Sequence, residues 1–398
     1  MKDHLFVNKS IDNILWMCFA LWILVDSFNG FAVVNNIAVR PSRIFKFIVF
    51  AIVMVRLIRF EGIKIIIFFL IPYVIILFVN SYYVNADPID TLTLLLKPLS
   101  NITFFLYGRH IAINNSEYFE KKFWKVFIFG FVMLLTNILL GLMGYGYHVY
   151  GGGDNGIGVK GFLYAQNEIS GLIVYLYPLM LYYIRFHYSR IIYYIFCVLC
   201  CFMSFSIGTK VGLVVAITSC FVVTYYLGSK IEKVSMIIFG VSGVIFGVVY
   251  IYYLLTLKFD FLVRFMYFYE QNGLVDAITS GRLHFLEERF DVFYRMDFLS
   301  RLFGWGGNED FVCEMDPFDA ILQFGYIGGI INVLLFLYLI IVPRLGQQKN
   351  KYKQIMIFCN TLLVLIAVFS GHIFFSSMAG LFIALANAGL YKKIKQQC

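Results

Sequence analysis

Charge is scarce in this 398-residue chain. Asp, Glu, Lys and Arg make up 14% of it, against 61% hydrophobic residues. With a mean hydropathy of +0.81, that excludes an ordinary soluble fold, in which about a quarter of residues are charged. Proline is sparse too, at seven residues, so helices run long without their main breaker. Cysteine supplies no framework. Cys18, Cys197, Cys200, Cys201, Cys220 and Cys359 fall in apolar runs, Cys398 is terminal, and Cys313 alone stands in a polar stretch. The CxxC of Cys197 and Cys200 has no second CxxC or His beside it and reads as helix packing. No Lys-Ser/Thr follows the glycine-rich YGGGDNGIG (150–158), which excludes a P-loop and leaves a flexible hinge. Alternating apolar and polar residues, the mark of a membrane barrel, are missing as well.

What is present is a succession of apolar runs near the ~20 residues that cross ~30 Å of hydrocarbon. The expected fold is an all-α polytopic membrane protein with about twelve transmembrane helices. They fall near 13–30, 44–58, 63–80, 90–108, 123–145, 167–184, 190–207, 210–227, 234–257, 318–342, 354–370 and 373–390. The run from about Ile14 has no small-residue cleavage site and reads as a retained first span. A single membrane domain, 1–398, describes the chain, with one large extracytoplasmic loop at 258–317.

An even number of spans puts both termini on one side. Arg56, Arg59 and Lys64, then Arg109, Lys121, Lys122 and Lys125, then Arg185, Arg190, Lys230, Lys233, Arg344 and the tail Lys392 all fall on that side. The positive-inside rule makes it cytoplasmic. The same pattern accounts for the net charge of +9 without any nucleic-acid partner. One connection violates it, because Arg40, Arg43 and Lys46 lie outside in this arrangement.

Five ionisable residues inside or beside the spans need a physical reason: Asp26, Lys97, Glu168, Lys210 and His372. A charge in hydrocarbon costs roughly 2.5–3.5 kcal/mol or more. Glu168 and Lys210 sit at predicted outer ends, where snorkelling is cheap. Lys97, just before Pro98, lies deeper and calls for a partner or a wet cavity.

The 258–317 loop holds the densest polar chemistry. SGRLHFLEERFDVF (280–293) reads as a short helix capped by Ser280, with Leu283, Leu286, Phe290 and Phe293 as its apolar stripe. Arg282 and Arg289, seven residues apart, share nearly one face. They pair with Glu287, Glu288 and Asp291, or grip an anionic ligand through the guanidinium fork. Glu309, Asp310, Glu314, Asp316 and Asp319 cluster before the next span. They are solvated helix-start charges, a general base, or ligands for a divalent cation.

Taken in order, four segments resemble the superfamily of O-antigen polymerases and O-antigen ligases. LYAQNEISGLIVYLYPL (163–179) is similar to the family's Asn-containing span that ends at Pro, and places Asn167 and Glu168. SFSIGTKVGLVV (204–215) is similar to its Ser-Arg-small segment, with Lys210 where Arg is usual. SGRLHFLEERFDVF and LFGWG (280–306) resemble its Gly-Arg helix and Gly-x-Gly turn. EMDPFDAILQFGYIGG (314–329) resembles its His-Asn to Gly-x-x-Gly segment, with Glu314 and Met315 where His and Asn are usual. Losing that His favours the polymerase branch over the ligase branch.

The resemblance implies a membrane glycosyltransferase of the bacterial inner membrane that works on its outer side. The donor would be a glycan on polyprenyl pyrophosphate, and the acceptor a sugar hydroxyl of a second lipid-linked repeat unit. Glu314 is then the expected general base, with Asp316 or Asp319 as substitutes. Lys210 and Arg282 stabilise the leaving pyrophosphate, and Arg289, Asp316, Asp319, Glu168 and Asn167 bind substrate. No metal and no cofactor is expected; a chain-length regulator and a flippase are the implied partners. The product class, O-antigen, capsule or exopolysaccharide, stays open. Two other classes also fit the composition: a lipid-linked sugar transporter, and a metal-dependent transferase using Glu309, Asp310 and Asp316.

Overall fold

The computed structural model describes the chain apart from residues 1–8, 38–39, 59–62, 85, 151–156, 239–268, 271–272, 276, 278, 280, 307–311, 346–349, 372, 374–375 and 393–398. The expected span 234–257 therefore falls mostly outside the described residues. So do Glu309, Asp310, His372 and the centre of the glycine-rich segment.

Helices dominate. In chain order they are α1 (Lys9–Ala20), α2 (Trp22–Val34), α3 (Pro41–Ile58), α4 (Ile63–Tyr83), α5 (Pro88–Asn114), α6 (Ser116–Leu142), α7 (Gln166–His187), α8 (Arg190–Ile207) and α9 (Lys210–Leu227). The polar loop holds α10 (Arg282–Arg295) and α11 (Phe298–Phe303), and α12 (Asp316–Ile341), α13 (Lys351–Ser370) and α14 (Ser377–Ala388) follow. Among the described residues, eight helices are long and apolar enough to cross a membrane, or nine if α1 and α2 form one broken span.

Three expected spans look different in the structure. The first, 13–30, is two helices bent by 50°. Trp16, Phe19 and Trp22 pack on both sides of that bend, and Phe19 and Trp22 meet Phe104 edge-to-face. Among its described residues the last, 373–390, holds the 12-residue α14, about 18 Å long at 1.5 Å per residue, followed by a 3-10 turn at Gly389–Tyr391, together shorter than the ~20 residues that cross a membrane. Small residues suit it to burial. Gly380 leaves room for the Asn101 side chain and Gly108 for the Ala388 and Leu385 side chains, so α14 and α5 pack closely. The third, 318–342, breaks inside α12 at Gly325, whose φ is +66°.

YGGGDNGIG is flanked by structure that a purely α-helical description omits. Strands β1 (Tyr147–Tyr150) and β2 (Ile157–Gly161) pair antiparallel. Glycines let this hairpin lie flat on its neighbours, since a Cβ on Gly158 would stand 2.2 Å from the Ile207 carbonyl oxygen at the end of α8.

A buried ion pair sits in the apolar core. Arg56 of α3 donates to both oxygens of Asp12 of α1, the closer at 2.9 Å, and Tyr107 donates to Asp12 at 2.8 Å. Arg56 and Asp12 are 6% and 0% exposed. Removing one member strands a buried charge at a cost of roughly 3–5 kcal/mol. Asp12→Asn is accordingly expected to lower the melting midpoint of the detergent-purified protein strongly. An unchanged midpoint would mean that the pair contributes nothing net.

Candidate functional site

The broken helix α12 builds the base of the site. A break exposes backbone carbonyls that an intact helix would satisfy. The LFGWGG turn fills this gap, with Trp305 N donating to Leu322 O at 3.3 Å and Gly306 N to Gln323 O at 2.8 Å. Such contact needs glycine on both sides: a Cβ on Gly304 would lie 2.3 Å from Gly325 N, and one on Gly325 the same distance from the Leu302 carbonyl.

Two acids in the first turn of α12 hold the shape of the loop before it. Asp319 accepts from Cys313 N at 2.7 Å and Met315 N at 3.0 Å, and its charge together with burial pushes the Cys313 thiol pKa up. Asp316 accepts from Ile373 N at 2.6 Å and ties this loop to the segment after α13. Both carboxylates are buried and neither lines the cavity. Their expected substrate-binding role is therefore corrected to a positioning one. Their backbone partners also turn them away from the metal-ligand and substitute-base roles.

What they position is Glu314. Its φ is +59°, in the left-handed region that side chains rarely occupy. Glu314 Oε2 accepts from Arg282 Nη2 at 2.6 Å and Nε at 3.1 Å, while Arg282 Nη1 donates to Phe369 O near the end of α13 at 3.2 Å. The arginine is 17% exposed and the glutamate 46%. This pair replaces the expected partners of Arg282 on its own helix. Gly281, at φ +84°, is the residue that caps α10; the expected cap, Ser280, lies outside the described residues. The apolar stripe of α10 packs onto Cys313, Met315 and Leu322, which fixes Arg282 against the loop.

Around this pair lies a cavity of about 1900 Å³, larger than the 300–1,000 Å³ of most small-molecule pockets. Asn167, Glu168, Lys210, Arg282, Arg289 and Glu314 all line it. Lys210 is the first residue of α9, after Thr209, whose hydroxyl accepts from Gly212 N at 3.0 Å. A cation at the positive end of a helix dipole is unfavourable by some tenths of a kcal/mol, and both fields draw an anion. Lys210 Nζ also reaches Ala277 O at 3.5 Å. Glu168 accepts from Ser376 Oγ at 3.0 Å and so ties α7 to the start of α14.

Sequence reasoning did not place the opposite wall. Asp26, Arg40, Arg43, Lys46 and Lys97 line the same cavity, which gathers seven basic side chains against three carboxylates. The signal was there: Arg40, Arg43 and Lys46 were the cations that broke the positive-inside pattern, and Lys97 and Asp26 were charges in apolar runs. Lys46 Nζ bonds Asp26 at 2.6 Å and Ser377 Oγ at 2.9 Å. Among the described residues, no three His, Cys, Asp or Glu side chains gather to hold a metal ion.

Fold and cavity together define a class: an all-α protein with membrane-length helices around a large, strongly basic chamber that also has extensive apolar walls. The chain matches no protein-family model, no curated protein and no solved structure.

Proposed function

We propose that the protein is a polysaccharide repeat-unit polymerase that transfers a polyprenyl-pyrophosphate-linked glycan onto a sugar hydroxyl of another lipid-linked repeat unit. The observation that carries this reading is the Arg282–Glu314 pair in a cavity with an excess of cations. In this reading the protein lies in a bacterial inner membrane and the cavity opens outward.

The chemistry follows from charge. A pyrophosphate leaves only if its developing negative charge is met by preorganised cations. Arg282, Lys210 and Arg289 supply them. At rest Arg282 is held by Glu314; an arriving pyrophosphate offers the guanidinium a more highly charged partner, and the carboxylate is released. Glu314 then accepts the proton of the attacking hydroxyl. A bond forms from that oxygen to the anomeric carbon, and the bond from this carbon to pyrophosphate breaks. Displacement from the opposite side inverts the donor linkage.

Deleting the chain from its host and running surface glycans on a gel tests the reading. Single repeat units on the final acceptor are the expected result. If glycan attachment vanishes while long chains persist on the lipid carrier, the protein is a ligase instead. Polymer made by the purified protein is further expected to survive EDTA. Its loss would transfer the leaving group to a divalent cation held by residues such as Glu309 and Asp310.

A further inference from the structure

Arg282, Lys210 and Arg289 account for only part of the cavity's charge. On the opposite side, Arg43 and Lys46 project from α3 and Lys97 from α5. The acids nearby cancel only part of this set: Asp26 pairs with Lys46 and accepts from Ser42 Oγ at 2.6 Å, while Glu168 accepts from Ser376. Arg43 meets Asp90 at 3.7 Å with both side chains about half exposed, a contact of little net worth.

Lys97 is the telling residue. It stands inside an apolar helix, with Glu168, Lys46, Arg43 and Asp26 as its charged neighbours. Among the described residues its Nζ makes neither a hydrogen bond nor an ion pair. A membrane-embedded lysine without a partner is expensive, and such residues mark ligand sites by default.

The walls beside the two cation sets are apolar and open. Ile44 and Phe47 of α3 and Ile89 and Leu92 of α5 line the cavity and are exposed. Val214 of α9, Phe285 of α10, and Leu365 and Phe369 of α13 do the same beside Arg282. Each cation set thus adjoins an apolar flank facing what would be hydrocarbon. A ligand suited to such a seat has an anionic head and a long apolar chain.

We propose that Arg43, Lys46 and Lys97 form a second lipid-pyrophosphate seat on the α3 and α5 side of the cavity, separate from the seat at Arg282. Resting on the polymerase reading, the α3–α5 seat holds the acceptor lipid while the Arg282 seat holds the donor, so that both are present when the sugar bond forms.

Binding of farnesyl pyrophosphate to the detergent-purified full chain, counted by native mass spectrometry and calorimetry, tests this. Two molecules per chain are expected. Lys97→Met should weaken one of them about tenfold, as loss of a charge-assisted hydrogen bond does, and leave the other, whereas Arg282→Ala does the reverse. Arg43→Gln, at a half-exposed position, supplies the same test if Lys97→Met does not fold. One molecule per chain, or two that ignore both Lys97→Met and Arg43→Gln, overturns the second seat. Inorganic pyrophosphate binding both seats as tightly as the farnesyl compound overturns its assignment to a lipid. The two readings fail separately. One bound lipid in a chain whose deletion abolishes polymer defeats the second seat alone, and two bound lipids with normal polymer after deletion defeat the polymerase alone.

Discussion

Arg282→Ala is expected to abolish long-chain glycan while the protein stays folded in the membrane, with turnover falling about 10²–10³-fold as when one donor to a developing anion is removed. Glu314→Gln is expected to fall at least as far, within the roughly 10²–10⁴-fold range of general-base catalysis. The two should not add. Their side chains share hydrogen bonds of 2.6 and 3.1 Å, and groups in contact couple by as much as single losses themselves. A double variant no worse than either single one is the expected signature of one working unit. Arg282→Lys separates charge from geometry: a point charge keeps attraction for pyrophosphate but cannot hold Glu314 and the Phe369 carbonyl at once. Full polymer from Arg282→Ala, assayed by gel in cells lacking the natural protein, would remove Arg282 from the mechanism.

Much of the helical pattern is legible in hydropathy. The expected runs 190–207 and 210–227 coincide with α8 and α9, because Ser189 and Thr209 are side-chain caps and Gly208 supplies the left-handed turn between them. Other features depend on partners distant in sequence. The break at Gly325 exists because the LFGWGG turn supplies donors to it, and hydropathy across residues 318–342 carries no trace of that turn. The buried roles of Asp316 and Asp319 are equally illegible, since a carboxylate before an apolar run reads the same whether it faces water or a backbone N–H.

The site was half visible. Arg282, Lys210 and Glu314 stand out as charges near membrane segments and Lys97 as a lysine that needs a partner or a wet cavity, whereas Arg40, Arg43 and Lys46 read as a topology violation. Arg40, Arg43 and Lys46, the residues that violate the expected orientation pattern, all line the cavity. A cation that breaks the positive-inside pattern is worth reading as a possible ligand before it is read as noise.

Gly371→Ala is the substitution expected to do most damage for the least chemistry. Gly371 ends α13 at φ +59°, and a Cβ there would stand 2.3 Å from the Glu314 carbonyl carbon and oxygen. Two penalties combine: the left-handed conformation costs of order 1–3 kcal/mol for a side chain, and the overlap with backbone cannot be relieved by a rotamer change. The loop must move, and Glu314, already at φ +59° itself, moves with it. Loss of polymer comparable to that of Glu314→Gln is expected, together with a lower melting midpoint. Gly144→Ala is the control. Gly144 has φ +86° but nothing within 4 Å of the added carbon, so it meets the conformational penalty without the collision. If Gly144→Ala and Gly371→Ala lose stability equally and both keep activity, contact with the Glu314 backbone has no functional weight. If only Gly371→Ala loses activity, the close approach of α13 to this loop is what holds the carboxylate in place.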